Sequence, residues 1–204
     1  VVVETRDQEN VMRKLKLIEY ITLDGVMEHP GPAGDFKHRG WTMPFWNDEL
    51  AKAQSDELFA SDALLLGRVT YDEFNASWPL RSGDPFTDKM NSMKKFVASH
   101  DASRKLEWNA TLLAGAVVEA VRQLKESQGD DILIYGSSTL VQTLMETGLI
   151  DWYRFIVYPI VLGDGKRFFK EGNYRRDLSL VDAATTQRGV TLLTYHSAAA
   201  PAAH

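Results

Sequence analysis

ILIYGSSTLVQTLMETG, residues 132–148, changes its hydrophobic period in the middle. Ile132 to Tyr135 is a continuous apolar run of strand length, whereas Leu140, Val141, Leu144 and Met145 recur at the spacing of one helix face. Gly136-Ser137-Ser138 stands between them, and Gly148 falls just past the last periodic residue, where helices commonly end. The stretch therefore predicts strand, tight turn, helix. A strand without polar alternation is one covered on both faces, as in a parallel sheet enclosed by helices.

The same order occurs upstream. In LLLGRVTYDEF (64–74) a buried apolar run stops at Gly67-Arg68 and a helix starts. KKFVAS (94–99) and TLLAG (111–115) read as further strands, and Val117, Val118, Val121 and Leu124 recur at helical spacing before Gly129. LKLIEYIT (15–22) alternates, with Leu15, Leu17 and Ile21 on one side. After it, LDGVMEHPGPAGDFKHRGW (23–41) has no period; so long a loop inside a domain is more often a lid or binding loop than idle connection. Asn47 can cap a helix over 48–60, with Asp48 and Glu49 in its first turn. Residues 152–163 are β-rich, and 178–185 with 190–196 form a hairpin pattern around Gln187-Arg188-Gly189. Strands alternating with helices, then β structure alone, predict an α/β domain: a mostly parallel sheet with helices on both faces and an antiparallel C-terminal edge.

Composition bounds the function. The chain has 204 residues, 44% hydrophobic and 25% charged, which suits one folded domain. Residues 12–197 form that domain in this reading, with 1–11 an N-terminal extension and 198–204 a tail. A net charge of -5 gives no global pull toward nucleic acid or an acidic membrane face, so any bound anion needs a local site. Absence of cysteine removes disulfides, thiolate nucleophiles and Cys-based metal clusters. No apolar run reaches the roughly 20 residues of a membrane-spanning helix. A cytoplasmic protein is expected.

In sheets of this kind ligands bind beyond the C-terminal strand ends. Four such ends carry glycine or hydroxyl residues: Thr22-Leu23-Asp24-Gly25, Gly67-Arg68-Val69-Thr70, Ser99-His100 and Gly136-Ser137-Ser138-Thr139. Each alone reads equally as a turn device; their recurrence favours an anion site. Glycines allow close backbone approach, helix N-termini offer unpaired N–H groups, and Arg68 supplies charge and a bidentate fork. Other templates fail. GDGKRF (163–168) has Phe168 where a dinucleotide fingerprint needs its third glycine, and Ile160 stands where a phosphate loop needs glycine. The five histidines form no ligand spacing, so no metal is expected. Ser137 and Ser138 read as helix caps rather than nucleophiles, and Lys166, Arg167, Lys170, Arg175 and Arg176 as a solvated turn and strand edge.

The order TLDG, LLLGRVTY, VASH, IYGSSTL and GLIDWYRFIVYPIVLGDGKRFF resembles the dihydrofolate-reductase-like superfamily. Within it the match is to the reductase domain at the C-terminus of bifunctional riboflavin-biosynthesis deaminase/reductases and to its stand-alone relatives, over about residues 13–197. The resemblance implies a three-layer αβα fold and an NADPH-dependent reductase, commonly a homodimer, acting on a small heterocycle. That substrate would be 5-amino-6-(5-phosphoribosylamino)uracil or a pteridine; a nucleotide- or flavin-binding module without catalysis is the alternative. It also implies that Gly67, Arg68, Thr70, Ser99, Gly136, Ser137, Ser138 and Thr139 hold the cofactor. Asp24 would orient or protonate the substrate, with Thr22 and Trp41 beside it. Two departures stand out: His100 where many relatives have arginine, and Ser137 in place of the second glycine of a pair.

Overall fold

The computed structural model describes residues 12–113, 115–170 and 175–197; the expected extension (1–11) and tail (198–204) lie outside them. Eight strands form one sheet: β1 (Leu15–Thr22), β2 (Ser61–Gly67), β3 (Lys94–Ala98), β4 (Ala110–Leu113), β5 (Asp131–Tyr135), β6 (Trp152–Tyr158), β7 (Leu178–Thr185) and β8 (Thr191–Ser197). Their order is β4-β3-β2-β5-β1-β6-β8-β7. The pairs from β4 through β6 are parallel, and β8 runs antiparallel to both β6 and β7. The expected antiparallel edge is thus confined to β8: the β-rich segment 152–163 is a parallel strand that stops at Tyr158, before Pro159.

Among the described residues five α-helices cover the sheet: α1 (Asp48–Phe59), α2 (Arg68–Asn75), α3 (Pro85–Ser92), α4 (Val117–Glu126) and α5 (Ser138–Glu146). α1 starts as expected, its Asn47 side chain accepting from Leu50 N. α3, which the hydrophobic pattern does not announce, starts at an Asp84 cap with Pro85 in its first turn, and both residue types favour a helix start. One core layer joins Leu15, Leu17 and Ile21 to Val121 and Leu124 of α4 and to Val141 and Leu144 of α5. The other joins Ile18, Leu64 and Leu66 to α1, α2 and α3 through Leu50, Leu58, Tyr71 and Met90. These are the three layers of the expected αβα fold.

One consequence of this wiring positions the site. β5 lies between β2 and β1. β2 leads into α2 on one face, whereas β5 leads into α5 on the other. Where neighbouring strands send their helices to opposite faces, the strand ends part and leave a crevice. β5 is also short: β1 pairs with it only as far as Ile18↔Tyr135, yet continues with β6 to Thr22↔Tyr158. Residues 19–22 therefore run past the end of β5, and the floor of the notch is Gly136-Ser137.

Candidate active site

On the β2 side, Gly67 is the N-cap of α2 and Ala98 is its register partner on β3, so Ser99 and Arg68 sit at adjacent strand ends. On the β5 side, Gly136 (φ 55°) and Ser137 (φ 65°) make the turn into α5. The two sides touch. Ser137 Oγ accepts from Gly67 N at 2.8 Å and lies 3.0 Å from Thr70 Oγ1 and 3.2 Å from Tyr135 O. Added side-chain atoms would crowd this contact: a Cβ at Gly67 would stand 3.2 Å from Ser137, and one at Gly136 3.4 Å from Thr70 Oγ1. Gly67, Arg68, Thr70, Ser99 and Gly136 to Thr139 thus share one rim.

Ser137 and Ser138 differ from the expected caps. Ser137 does occupy the N-cap position, but in the left-handed region its hydroxyl turns away from α5 to hold Gly67, leaving the helix without a side-chain cap. A non-glycine residue there is strained by about 1–2 kcal/mol. Ser138 is buried, and its hydroxyl has no hydrogen-bond partner among the described residues. Arg68 is half exposed and pairs loosely with Asp72 at 3.5 Å, while Arg104 also holds that carboxylate. Ser99 Oγ accepts from Asp101 N at 3.1 Å, and His100 is exposed.

Asp24 lies beyond the end of β1. Its carboxylate accepts from Thr22 Oγ1 (2.6 Å), Leu162 N (3.2 Å) and Gly163 N (2.9 Å), and Arg167 pairs with it at 3.4 Å. Arg167 also donates to the Asp24 carbonyl. Burial alone would raise the pKa of this carboxyl; the hydrogen bonds from Thr22, Gly163 and Leu162 outweigh it and hold the group below its ordinary value. Asp24 therefore fastens the 162–168 loop to the end of β1. Two members of the basic group are not simply solvated: Arg167 serves this clamp, and Arg176 donates to the carbonyls of Met145 and Glu146, where α5 ends.

Trp41 is 4% exposed; its indole N–H donates to Glu28 O at 2.8 Å and its ring meets Tyr158 edge-on at 5.2 Å. Around Tyr158 stand Phe45 and Tyr20, with ring centroids 5.8 and 6.1 Å away. Tyr135 closes the other end of the bowl against Phe74 at 6.5 Å. Burial pushes the Tyr135 and Tyr158 phenols well above their ordinary range, keeping both neutral, and neither hydroxyl has a partner among the described residues. The sequence reading named Trp41 but none of the three tyrosines, although each ends or nearly ends a strand on the α1–α3 side.

Glu19 was missed too. It sits mid-strand on the side of Leu17 and Ile21, is 2% exposed, and its Oε2 has no partner among the described residues. Burial pushes its carboxyl up to about 8, and the backbone N–H of Tyr20 and the charge of Lys166 offset this only in part. Among the described residues no group of His, Cys, Asp and Glu could hold a metal ion, and no helix is long and apolar enough to cross a membrane.

Three layers and eight strands in this order make a dihydrofolate-reductase-like fold. Dihydrofolate reductase of Enterococcus faecalis, solved with NADP(H), superposes with a TM-score of 0.60 at 15% identity, covering 90% of this chain and 96% of that one. A pyrimidine reductase-like protein of Corynebacterium diphtheriae gives 0.65 at 12% identity, covering 92% of each. The chain belongs to the RibD C-terminal domain family, which it matches over residues 13–192. The uncharacterized protein YyaP of Bacillus subtilis (strain 168) is 31% identical over 189 residues, 90% of this chain and 95% of that protein.

Proposed function

We propose that the protein is an NADPH-dependent reductase of a small heterocycle, of the pyrimidine type that riboflavin biosynthesis uses or of a pteridine type. One observation carries the reading: Gly67-Arg68 and Gly136-Ser137-Ser138-Thr139 meet at the switch-point notch, each at a helix start. The residues present fit a dinucleotide. Two helix N-termini and Arg68 suit the phosphates, and Ser99 lies at the adjoining strand end for the 2′-phosphate. Ser137 is the misfit, since its hydroxyl takes the Gly67 N–H that a phosphate oxygen would use; rotation about its Cα–Cβ bond would release it. NADPH would supply the hydride. The chain would position and desolvate the acceptor, with Trp41, Phe45, Tyr20 and Tyr158 walling a planar ring and Asp24 fixing the loop above it. A homodimer and a cytoplasmic location complete the proposal.

Thermal melts test it. NADPH at about 100 times its dissociation constant should raise stability by about 2.7 kcal/mol. Arg68→Ala should melt like the parent without ligand and bind NADPH about tenfold more weakly, an effect of about 1.4 kcal/mol. No shift with NADPH or NADH would refute the reading.

The Ser137 contact favours a second reading, in which the notch binds nucleotide or flavin without catalysis. Ser137→Gly separates the two. It relieves the left-handed strain, loses the hydroxyl contacts and frees Gly67 N, so stability should change by only about 1 kcal/mol. Calorimetric affinity for NADPH should rise about tenfold. If affinity rises and hydride transfer to reducible pterins and aminopyrimidines stays absent, the non-catalytic reading holds.

A further inference from the structure

Two buried polar atoms, one on β1 and one at the start of α5, have no hydrogen-bond partner among the described residues. Glu19 Oε2 and Ser138 Oγ are both buried, each residue being 2% exposed, and neither atom has a partner among the described residues. They come from different elements and converge by topology. Glu19 is the first β1 residue beyond the last β1–β5 pair, Ile18↔Tyr135, so it runs alongside Gly136. Alternation sends its side chain toward the layer of α5, the side of Leu17 and Ile21. Ser138 is the first residue of α5. Leaving a buried polar atom unpaired is unfavourable, and these two stand at neighbouring element ends, beyond the last β1–β5 pair and at the first residue of α5.

The chemistry of the pair narrows what would satisfy it. Lys166 is the cation that acts on Glu19, from the overlying loop, and burial wins over it, pushing the carboxyl toward its protonated form. A protonated carboxyl offers one donor and one acceptor side by side, and a hydroxyl offers the same. An anion is a poor match for an acceptor oxygen. An uncharged amide, with its carbonyl next to an N–H, matches both atoms of a carboxylic acid in a two-bond ring.

We infer that Glu19, with Ser138 beside it, is the specificity-determining contact for an uncharged amide or lactam edge of the bound ligand. This rests on the dinucleotide reading above and deepens it. The amide belongs either to the nicotinamide end of the cofactor or to a pyrimidine substrate. In either case Glu19 would act by accepting from the ligand's N–H and donating to its carbonyl, holding the ring in register within the notch.

Calorimetric titration separates these outcomes, with NADPH, with 2′-phospho-ADP-ribose (the same dinucleotide lacking nicotinamide) and with 5-aminouracil. Glu19→Leu should weaken NADPH or 5-aminouracil at least tenfold and leave 2′-phospho-ADP-ribose within twofold; the ligand that weakens owns the amide. Glu19→Gln, which keeps a donor and an acceptor, should recover binding to within about threefold. Ser138→Ala, a smaller change at a separate element, should weaken the same ligand about threefold. Unchanged affinity for both amide ligands in Glu19→Leu would overturn the inference, as would an equal loss for 2′-phospho-ADP-ribose. Failure of the parent protein to bind any dinucleotide fragment would instead remove the cofactor reading itself.

Discussion

Asp24→Asn should cost about 2–4 kcal/mol of folding stability and lower the melting temperature by about 10 °C. The side chain is only 16% exposed, and its two oxygens serve the Thr22 hydroxyl, two backbone N–H groups and the Arg167 guanidinium. Asparagine keeps one acceptor oxygen and turns an NH2 toward groups that are themselves donors, so at least one buried donor loses its partner. The charge that Arg167 faces is lost as well. The contribution has a pH signature. Because the folded carboxyl titrates below its unfolded value, the clamp is fully present above about pH 4 and lost as pH falls through the lower folded value. Denaturant melts of the two proteins at pH 7 and pH 3 check both points: a large gap at pH 7 should shrink at pH 3. If Asp24→Asn melts like the parent while losing turnover, the carboxylate transfers a proton and does not act as a clamp.

The second large effect has the opposite sign. Glu19 titrates near 8 when folded and near 4.5 when unfolded, so between these values the folded state holds the extra proton. Stability then falls as pH rises from about 4.5 to about 8, by at most about 1.4 kcal/mol per unit and about 3–5 kcal/mol in all. Glu19→Gln removes that slope, so the variant should gain on the parent steadily from pH 5 to pH 8. The other large shift of a buried base, Lys95, lies outside this window. Its folded value is lowered to about 8, so it changes stability only above that pH, where stability rises. Urea midpoints at four pH values measure the difference, and parallel profiles would show that Glu19 finds a partner in solution.

How far the sequence could be read depends on where the signal resides. The strand–turn–helix of 132–148 was legible because period and turn chemistry agree there. The mostly parallel sheet followed from alternation of elements, but its strand order and the direction of β6 did not, since an apolar strand reads the same parallel or antiparallel. α3 escaped because only its cap and first-turn proline speak for it. The rim was legible as glycines and hydroxyls at strand ends. Its contacts were not, because the hold of Ser137 on Gly67 spans 70 residues and depends on a left-handed backbone that no pattern announces. The Asp24 clamp likewise joins residues 138 or more positions apart. Glu19 was visible: in LKLIEYIT it falls on the same side as Leu15, Leu17 and Ile21, an acid in core parity. The register of β1 holds it in that parity, buried beyond the end of β5.

In the proposed reductase, the notch between the ends of β2 and β5 receives the phosphates of a dinucleotide. Amide resonances of the 15N-labelled protein, followed while NADPH and then inorganic pyrophosphate are titrated in, test it most directly. The N–H signals of Gly67, Arg68, Ser138 and Thr139 should move together and saturate with both ligands. Saturable binding that leaves those four signals still, and shifts residues elsewhere, would contradict it.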